Sequence, residues 1–206
     1  MEPVKKKYHY PADLKQDLLE KGIQLIREKG IDGLTLKSLA GSLGVTSAAM
    51  YHHYPDKTAL FVAIVERRAV ELYQQLNEKV VAVHKDDVAQ LLIKSAEVFY
   101  DFCAENTEFL ALIMGDAIRS WDEYPAINEK VQNVFGILEK AIVQGQQSGI
   151  LRDGNPYNLM MVLFSGTLGM ANIMFNSKTA LPAQIVGDAR QAFSDVIHGS
   201  LNMIRK

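Results

Sequence analysis

Thr35–Leu60 reads TLKSLAGSLGVTSAAMYHHYPDKTAL, and its apolar spacing predicts two short helices meeting at a sharp turn. Thr35 is placed to cap a helix in which Leu36, Leu39, Ala40 and Leu43 recur at i, i+3, i+4 and i+7, a single apolar stripe. Gly44 stands where a helix end favours positive φ, Val45 can plug the turn, and Thr46 can cap the next helix through its hydroxyl. In that helix Val45, Ala49 and Met50 face inward, leaving Ser47, Ala48, Tyr51 and His52 pointing outward. Pro55 disfavours α geometry at Tyr54 and stops the helix, and Asp56 can cap a third that starts at Lys57.

Two helices crossing at a turn, the second offering its N-terminal residues, form a helix-turn-helix suited to the major groove of DNA. A lysine in the first turn of a helix opposes the dipole, and a phosphate partner would account for Lys57. The stretch from Leu18 to Leu60 resembles the N-terminal domain of TetR-family transcriptional regulators. The resemblance rests on Leu18-Leu19, Leu25-Ile26, Gly30, Gly33, Thr35, Leu39-Ala40, Leu43-Gly44-Val45, Thr46-Ser47, Met50-Tyr51-His52-His53-Tyr54, Lys57 and Leu60. Gly22, where a small Ala is usual, and Gly41, in the short first helix of the motif, depart from the pattern. The resemblance implies phosphate contacts from Thr35, Tyr51 and Lys57, and base or groove contacts from Thr46, Ser47, Ala48 and His52. Lys37 and His53 fall near the DNA backbone on the same reading.

Tyr54, beside Pro55, reads as a core aromatic rather than a base reader. Neighbouring His52 and His53 diverge by about 100° on a helix and have no third ligand, so metal binding is not expected. From Thr46 to Tyr54 there is no Arg, Lys, Asn or Gln, the side chains that make the strongest bidentate base contacts. Readout is therefore expected to lean on hydroxyls, His52, Ala48 against a thymine methyl, and groove shape, with phosphates supplying most of the affinity.

The chain has 206 residues, 48% of them hydrophobic, and a net charge of −2. That length supports a DNA reader over residues 11–60, preceded by a flexible basic arm at 1–10 and followed by a second domain at 61–206. Through Leu60 nine Lys and Arg face seven Asp and Glu, while the remainder is net acidic, thirteen against seventeen. A basic end on an acidic protein suits one-sided binding to DNA. The single Cys103 excludes an internal disulfide, and no apolar leader follows Met1, so a cytoplasmic protein is expected. The uncharged run Leu159–Phe175 falls short of the roughly 18 to 20 residues that span a bilayer and reads as a helix buried by protein, so no membrane partner is expected.

After the reader, punctuation predicts an all-α chain of about nine helices. A connector runs from Leu60 to about Val83 with Ile64, Val65, Ala69, Leu72, Leu76, Val80 and Val83 near one face. Further helices are expected over Asp87–Glu105, Thr107–Arg119, Ala126–Gln147, Tyr157–Phe175 and Ala183–Ile204, with Arg152–Pro156 as the clearest loop. In the resembling family the last two helices pair with their copies across a two-fold axis. Val162, Leu163, Gly166, Gly169, Ile173, Phe193, Val196, Ile197 and Leu201 are the residues here suited to that homodimer interface.

By the same resemblance the bundle encloses a pocket for a small-molecule effector. Phe99, Phe102, Cys103, Leu110, Met114, Trp121, Phe135, Met170 and Met174 are its expected lining and favour an apolar or aromatic ligand. No cofactor or metal is expected. The combination implies a homodimeric repressor that leaves a palindromic operator on double-stranded DNA when its ligand binds; an activator or co-repressor-type regulator uses the same parts. An enzyme would need converging acid, base or nucleophile groups. Asp86-Asp87 and Asp122-Glu123 read instead as caps and loop charges, and Cys103 has no His at a suggestive spacing. A helical interaction module with a vestigial reader is the remaining rival, which a failure to bind DNA would favour.

Overall fold

The computed structural model describes residues 13–118, 123–176, 181 and 187–206. Among them the chain forms nine helices, and the only β-type pairing is an isolated antiparallel bridge between Leu151 and Arg205. Helix α1 (Leu14–Gly33) is capped by Asp13 and buries Leu14, Leu18, Leu19, Ile23, Leu25 and Ile26 along one face. It breaks at Gly30, whose φ of 73° is strained for any side-chain-bearing residue. Helices α2 (Leu36–Ser42) and α3 (Ser47–His53) follow. Thr35 and Ser38 form a reciprocal capping box on α2, and the Thr46 hydroxyl accepts from the Ala49 N–H at the start of α3.

The α2–α3 turn closes as its residues dictate. Gly44 takes φ 66°, and the Val45 N–H donates to the Ala40 carbonyl at 3.1 Å while its side chain drops into the core. Leu39 and Met50 are fully buried between the three helices, and Tyr54 anchors the end of α3 by donating its hydroxyl to the Lys15 carbonyl at 3.2 Å. Burying such side chains contributes roughly 1.5 to 3 kcal/mol each, enough to hold two seven-residue helices that would not persist alone. Gly22 lets α1 approach the next helix closely: a Cβ there would lie 3.1 Å from Leu60.

Helix α4 (Lys57–Leu76) starts at the Asp56 cap and continues through a π-helical turn (Asn77–Val81) into a last turn, Ala82–His84. The expected connector is therefore present, although its final apolar residue, Val83, is exposed. Helices α5 (Val88–Glu105), α6 (Thr107–Met114), α7 (Pro125–Gln147), α8 (Pro156–Phe175) and α9 (Ala189–Ile204) complete the bundle. Helix α6 stops well before the expected Arg119, where Gly115 turns extended; the position suits glycine, since a Cβ there would sit 2.7 Å from the Ala111 carbonyl. Helix α9 begins at its Asp188 cap; the expected start at Ala183 lies outside the described residues. So do the basic arm at 1–10 and Trp121.

Helix α8 corrects the sequence reading. It is 20 residues, and its most apolar 18-residue window has a mean hydropathy of 1.4, so by length and composition it could cross a membrane, rather than being too short. It packs against α5, α6, α7 and α9, yet only 28% of its most apolar window is buried within the chain. Leu159, Met160, Leu163, Thr167 and Ala171 point inward, while Val162, Gly169, Met170 and Ile173 are only half-buried.

Candidate nucleic-acid interface and bundle cavity

Because Val45 and Met50 turn into the core, the opposite face of α3 is left to solvent. Ser47, Ala48, Tyr51 and His52 are exposed, Tyr51 at 51%, and Thr46 and His53 are half-buried. Thr35 and Lys37 are exposed at the start of α2. Both threonine hydroxyls already accept a backbone N–H as caps, so each keeps its own O–H for another acceptor. The His52 and His53 rings meet edge-on, 5.3 Å apart, in the last turn of α3, where positive charge suits the helix dipole. Lys57 has a partner within the chain that the sequence did not reveal. Its ammonium donates to the Ile31 carbonyl at 3.1 Å and lies 5.5 Å from the Phe61 ring, tying the start of α4 to the end of α1. A phosphate is thus not required to explain a cation at that helix end.

A cavity of about 270 Å³, partly open to solvent, is set into the bundle. Its wall is Val65, Ala69 and Leu72 of α4, Phe99 of α5, Phe109 and Ile113 of α6, Phe164 and Leu168 of α8, and a face of α7 running from Ile127 to Phe135. Of the described residues expected to line it, Phe99 and Phe135 do so. Phe102, Cys103 and Leu110 are almost wholly buried but are not part of its wall; Phe102 packs edge-on against the lining residue Phe109, with ring centroids 5.6 Å apart. Met114 is 41% exposed at the end of α6, and Met170 and Met174 are half-buried on α8 away from the cavity wall. Val65, Ala69 and Leu72 were legible as the apolar face of the connector, whereas nothing in the sequence says which face of α7 meets them.

The expected dimer residues also divide. Leu163, Phe193, Ile197 and Leu201 are covered by their own chain, where α8 and α9 pack together. Gly166 serves that same contact: a Cβ there would lie 3.0 Å from Ser200 Oγ and 3.1 Å from Val196. Val162, Gly169, Ile173 and Val196 remain partly exposed.

Between the reader and the cavity lies an ionic knot that sequence reasoning missed. Glu108, in the first turn of α6, has a side chain with no exposure, and it accepts from Arg27 of α1 at 2.6 Å and from Arg68 of α4 at 2.8 Å. Arg27 also donates to the Glu105 carbonyl and to Asn106, and Arg68 to Glu71. Burial pushes the Glu71 carboxyl up, but hydrogen bonds from Arg68 and Arg67 outweigh it and hold it below the usual carboxylate range. A glutamate near a helix N-terminus reads in sequence as an ordinary dipole partner, so its burial left no signal.

Residues 18–64 match the family described as "Bacterial regulatory proteins, tetR family". The nucleoid occlusion factor SlmA of Marinobacter nauticus is 26% identical over 140 residues, spanning 68% of this chain and 70% of that protein. The HTH-type transcriptional repressor NemR of Escherichia coli is 25% identical over 166 residues, spanning 78% and 83%. A bacterial regulatory protein of the TetR family from Rhodococcus superposes with a TM-score of 0.70 at 14% identity, covering 94% of this chain and 98% of that one. Residues 18–64 are thus similar to the DNA-binding domain of TetR-family regulators, and the all-α fold, a helix-turn-helix followed by a helical bundle, is the one seen in solved members of that family.

Proposed function

We propose that the chain is a homodimeric repressor that reads a palindromic operator with α3 of each copy and releases it when a small apolar or aromatic ligand occupies the bundle cavity. The observation that carries this reading is the cavity wall: Val65, Ala69 and Leu72 belong to α4, the same helix that Lys57 ties to the reader. A ligand that fits best against a tilted α4 changes the spacing of the two reading heads. A coupling of roughly 1 to 3 kcal/mol then weakens operator binding about 5- to 150-fold. The Glu108 knot supports this path, since it joins α1 and α4 to α6, whose Phe109 lines the cavity. The half-buried apolar face of α8, with Val162, Gly169 and Ile173, supports pairing with a second copy, and that pairing doubles the contacts of a weak base reader. NemR, one of the relatives, is named a repressor.

In this reading residues 11–60 are the reader and 61–206 the ligand-binding and dimerisation domain of a cytoplasmic protein. Thr35, Tyr51 and Lys57 hold phosphates, with Lys37 and His53 beside them, and Thr46, Ser47, Ala48 and His52 face the groove. The test is selection of bound duplexes from a random pool, followed by titration at two salt concentrations. Binding should weaken steeply with salt. Lys57→Ala should lower affinity for all sequences and shallow the salt slope by about one, whereas Ser47→Ala or His52→Ala should shift which sequence is preferred. A flat salt response removes the DNA-binding reading; ligand that strengthens operator binding replaces the repressor with a co-repressor mechanism.

A further inference from the structure

Ser95 of α5 is 4% exposed, and its hydroxyl is the one buried side-chain polar atom among the described residues without a hydrogen-bond partner. A serine inside a helix ordinarily donates back to the carbonyl one turn earlier, as Thr167 does to Leu163 at 2.9 Å. An orphan hydroxyl in an apolar interior costs about 1 to 3 kcal/mol. Ser95 and Thr167 line the same small cavity of about 40 Å³, which has no other polar side chain in its wall. This space adjoins the larger cavity, and the two share Phe99, Val134, Phe135 and Phe164. The three shared rings stand at the junction of the two spaces in edge-on contact, with centroids 5.7 Å apart for Phe99–Phe164 and 4.9 Å for Phe135–Phe164.

Resting on the ligand reading above, we propose that Ser95 and Thr167 form an oxygen-binding subsite at the deep end of the cavity, selecting a neutral, largely apolar ligand with one terminal hydroxyl. The space exceeds the roughly 10 to 15 Å³ that one water-sized group needs. Thr167 has committed its proton to Leu163 and offers lone pairs, while Ser95 offers both a proton and lone pairs. A ligand hydroxyl satisfies both by donating to Thr167 Oγ1 and accepting from Ser95. No Asp, Glu, Lys, Arg or His lines either cavity, so a carboxylate or ammonium would lose its hydration with no countercharge to replace it. The larger cavity, about 270 Å³ against roughly 150 Å³ for an engineered cavity that takes benzene, suits a ligand of one or two fused rings.

The test compares naphthalene, 2-naphthol and 2-naphthoate by calorimetric titration of the full chain and of Ser95→Ala. Wild type should bind 2-naphthol about 3- to 10-fold more tightly than naphthalene and should reject 2-naphthoate. Ser95→Ala should lose the naphthol advantage, leave naphthalene affinity unchanged, and melt no lower than wild type, since it deletes an unsatisfied group. Equal loss for both neutral probes, or an unchanged preference for 2-naphthol, overturns the subsite while naphthalene binding keeps the cavity reading intact. Failure of both neutral probes to bind wild type overturns the cavity reading and the subsite together.

Discussion

Glu108→Gln tests whether the reader and the bundle are joined by charge rather than by packing alone. The substitution keeps the volume of the side chain but leaves Arg27 and Arg68 without the carboxylate that both reach, at 2.6 and 2.8 Å. Removing one member of a buried ion pair typically costs about 3 to 5 kcal/mol. Here two features lower that figure. Arg27 is 41% exposed and can turn to water, and Arg68 keeps Glu71. We expect about 2 to 3 kcal/mol, which for a chain of this size lowers the melting temperature by about 4 to 12 °C. Arg27→Ala alone should cost less, because Glu108 retains Arg68, and the double variant should cost less than the sum of the two singles. The assay is thermal and urea unfolding at one fixed protein concentration. A Glu108→Gln protein melting within 1 °C of wild type, or strictly additive singles, would refute an energetic role for the knot and leave α6 held only by its apolar face.

Three further expectations follow from burial. Desolvation pushes the Cys103 thiol up to about 12, so the native protein should resist thiol reagents at pH 8 and react only on unfolding; rapid native labelling would contradict this placement. Burial first, and then the charges of Asp13 and Glu66, raise Tyr54 to about 12. Its contribution to stability is whole below the unfolded value near 10 and is lost as pH rises toward 12, so the stability gap between wild type and Tyr54→Phe should narrow over that window; a constant gap would argue against it. Ile173→Asp, on the half-buried face of α8, should sediment as a monomer and bind operator DNA far more weakly, and an intact dimer would move the interface elsewhere.

The reader was legible because its signals are local. Thr35, Gly44, Thr46, Pro55 and Asp56 each act within one turn of themselves through a cap, a positive φ or a steric block, and the structure realises these in place. Misreadings arose where an outcome depends on a partner distant in sequence. Phe102 and Cys103 share composition cues and a helix face with Phe99, yet only Phe99 reaches the cavity wall, while Phe102 packs behind it against Phe109. Gly166 and Gly169 look alike in sequence; one meets Val196 and Ser200 of its own chain, and the other has nothing within 4 Å.

By itself, then, the sequence determined the helix-turn-helix, the all-α class and the order of the bundle helices, because caps, breakers and apolar period are written in residues a few positions apart. Tertiary structure alone decided which sides of those helices enclose space, which are filled, and where Arg27, Arg68 and Glu108 meet across 81 positions of chain. Side chains that converge from distant segments are chosen by helix crossing and depth of burial, and neither has a local signature.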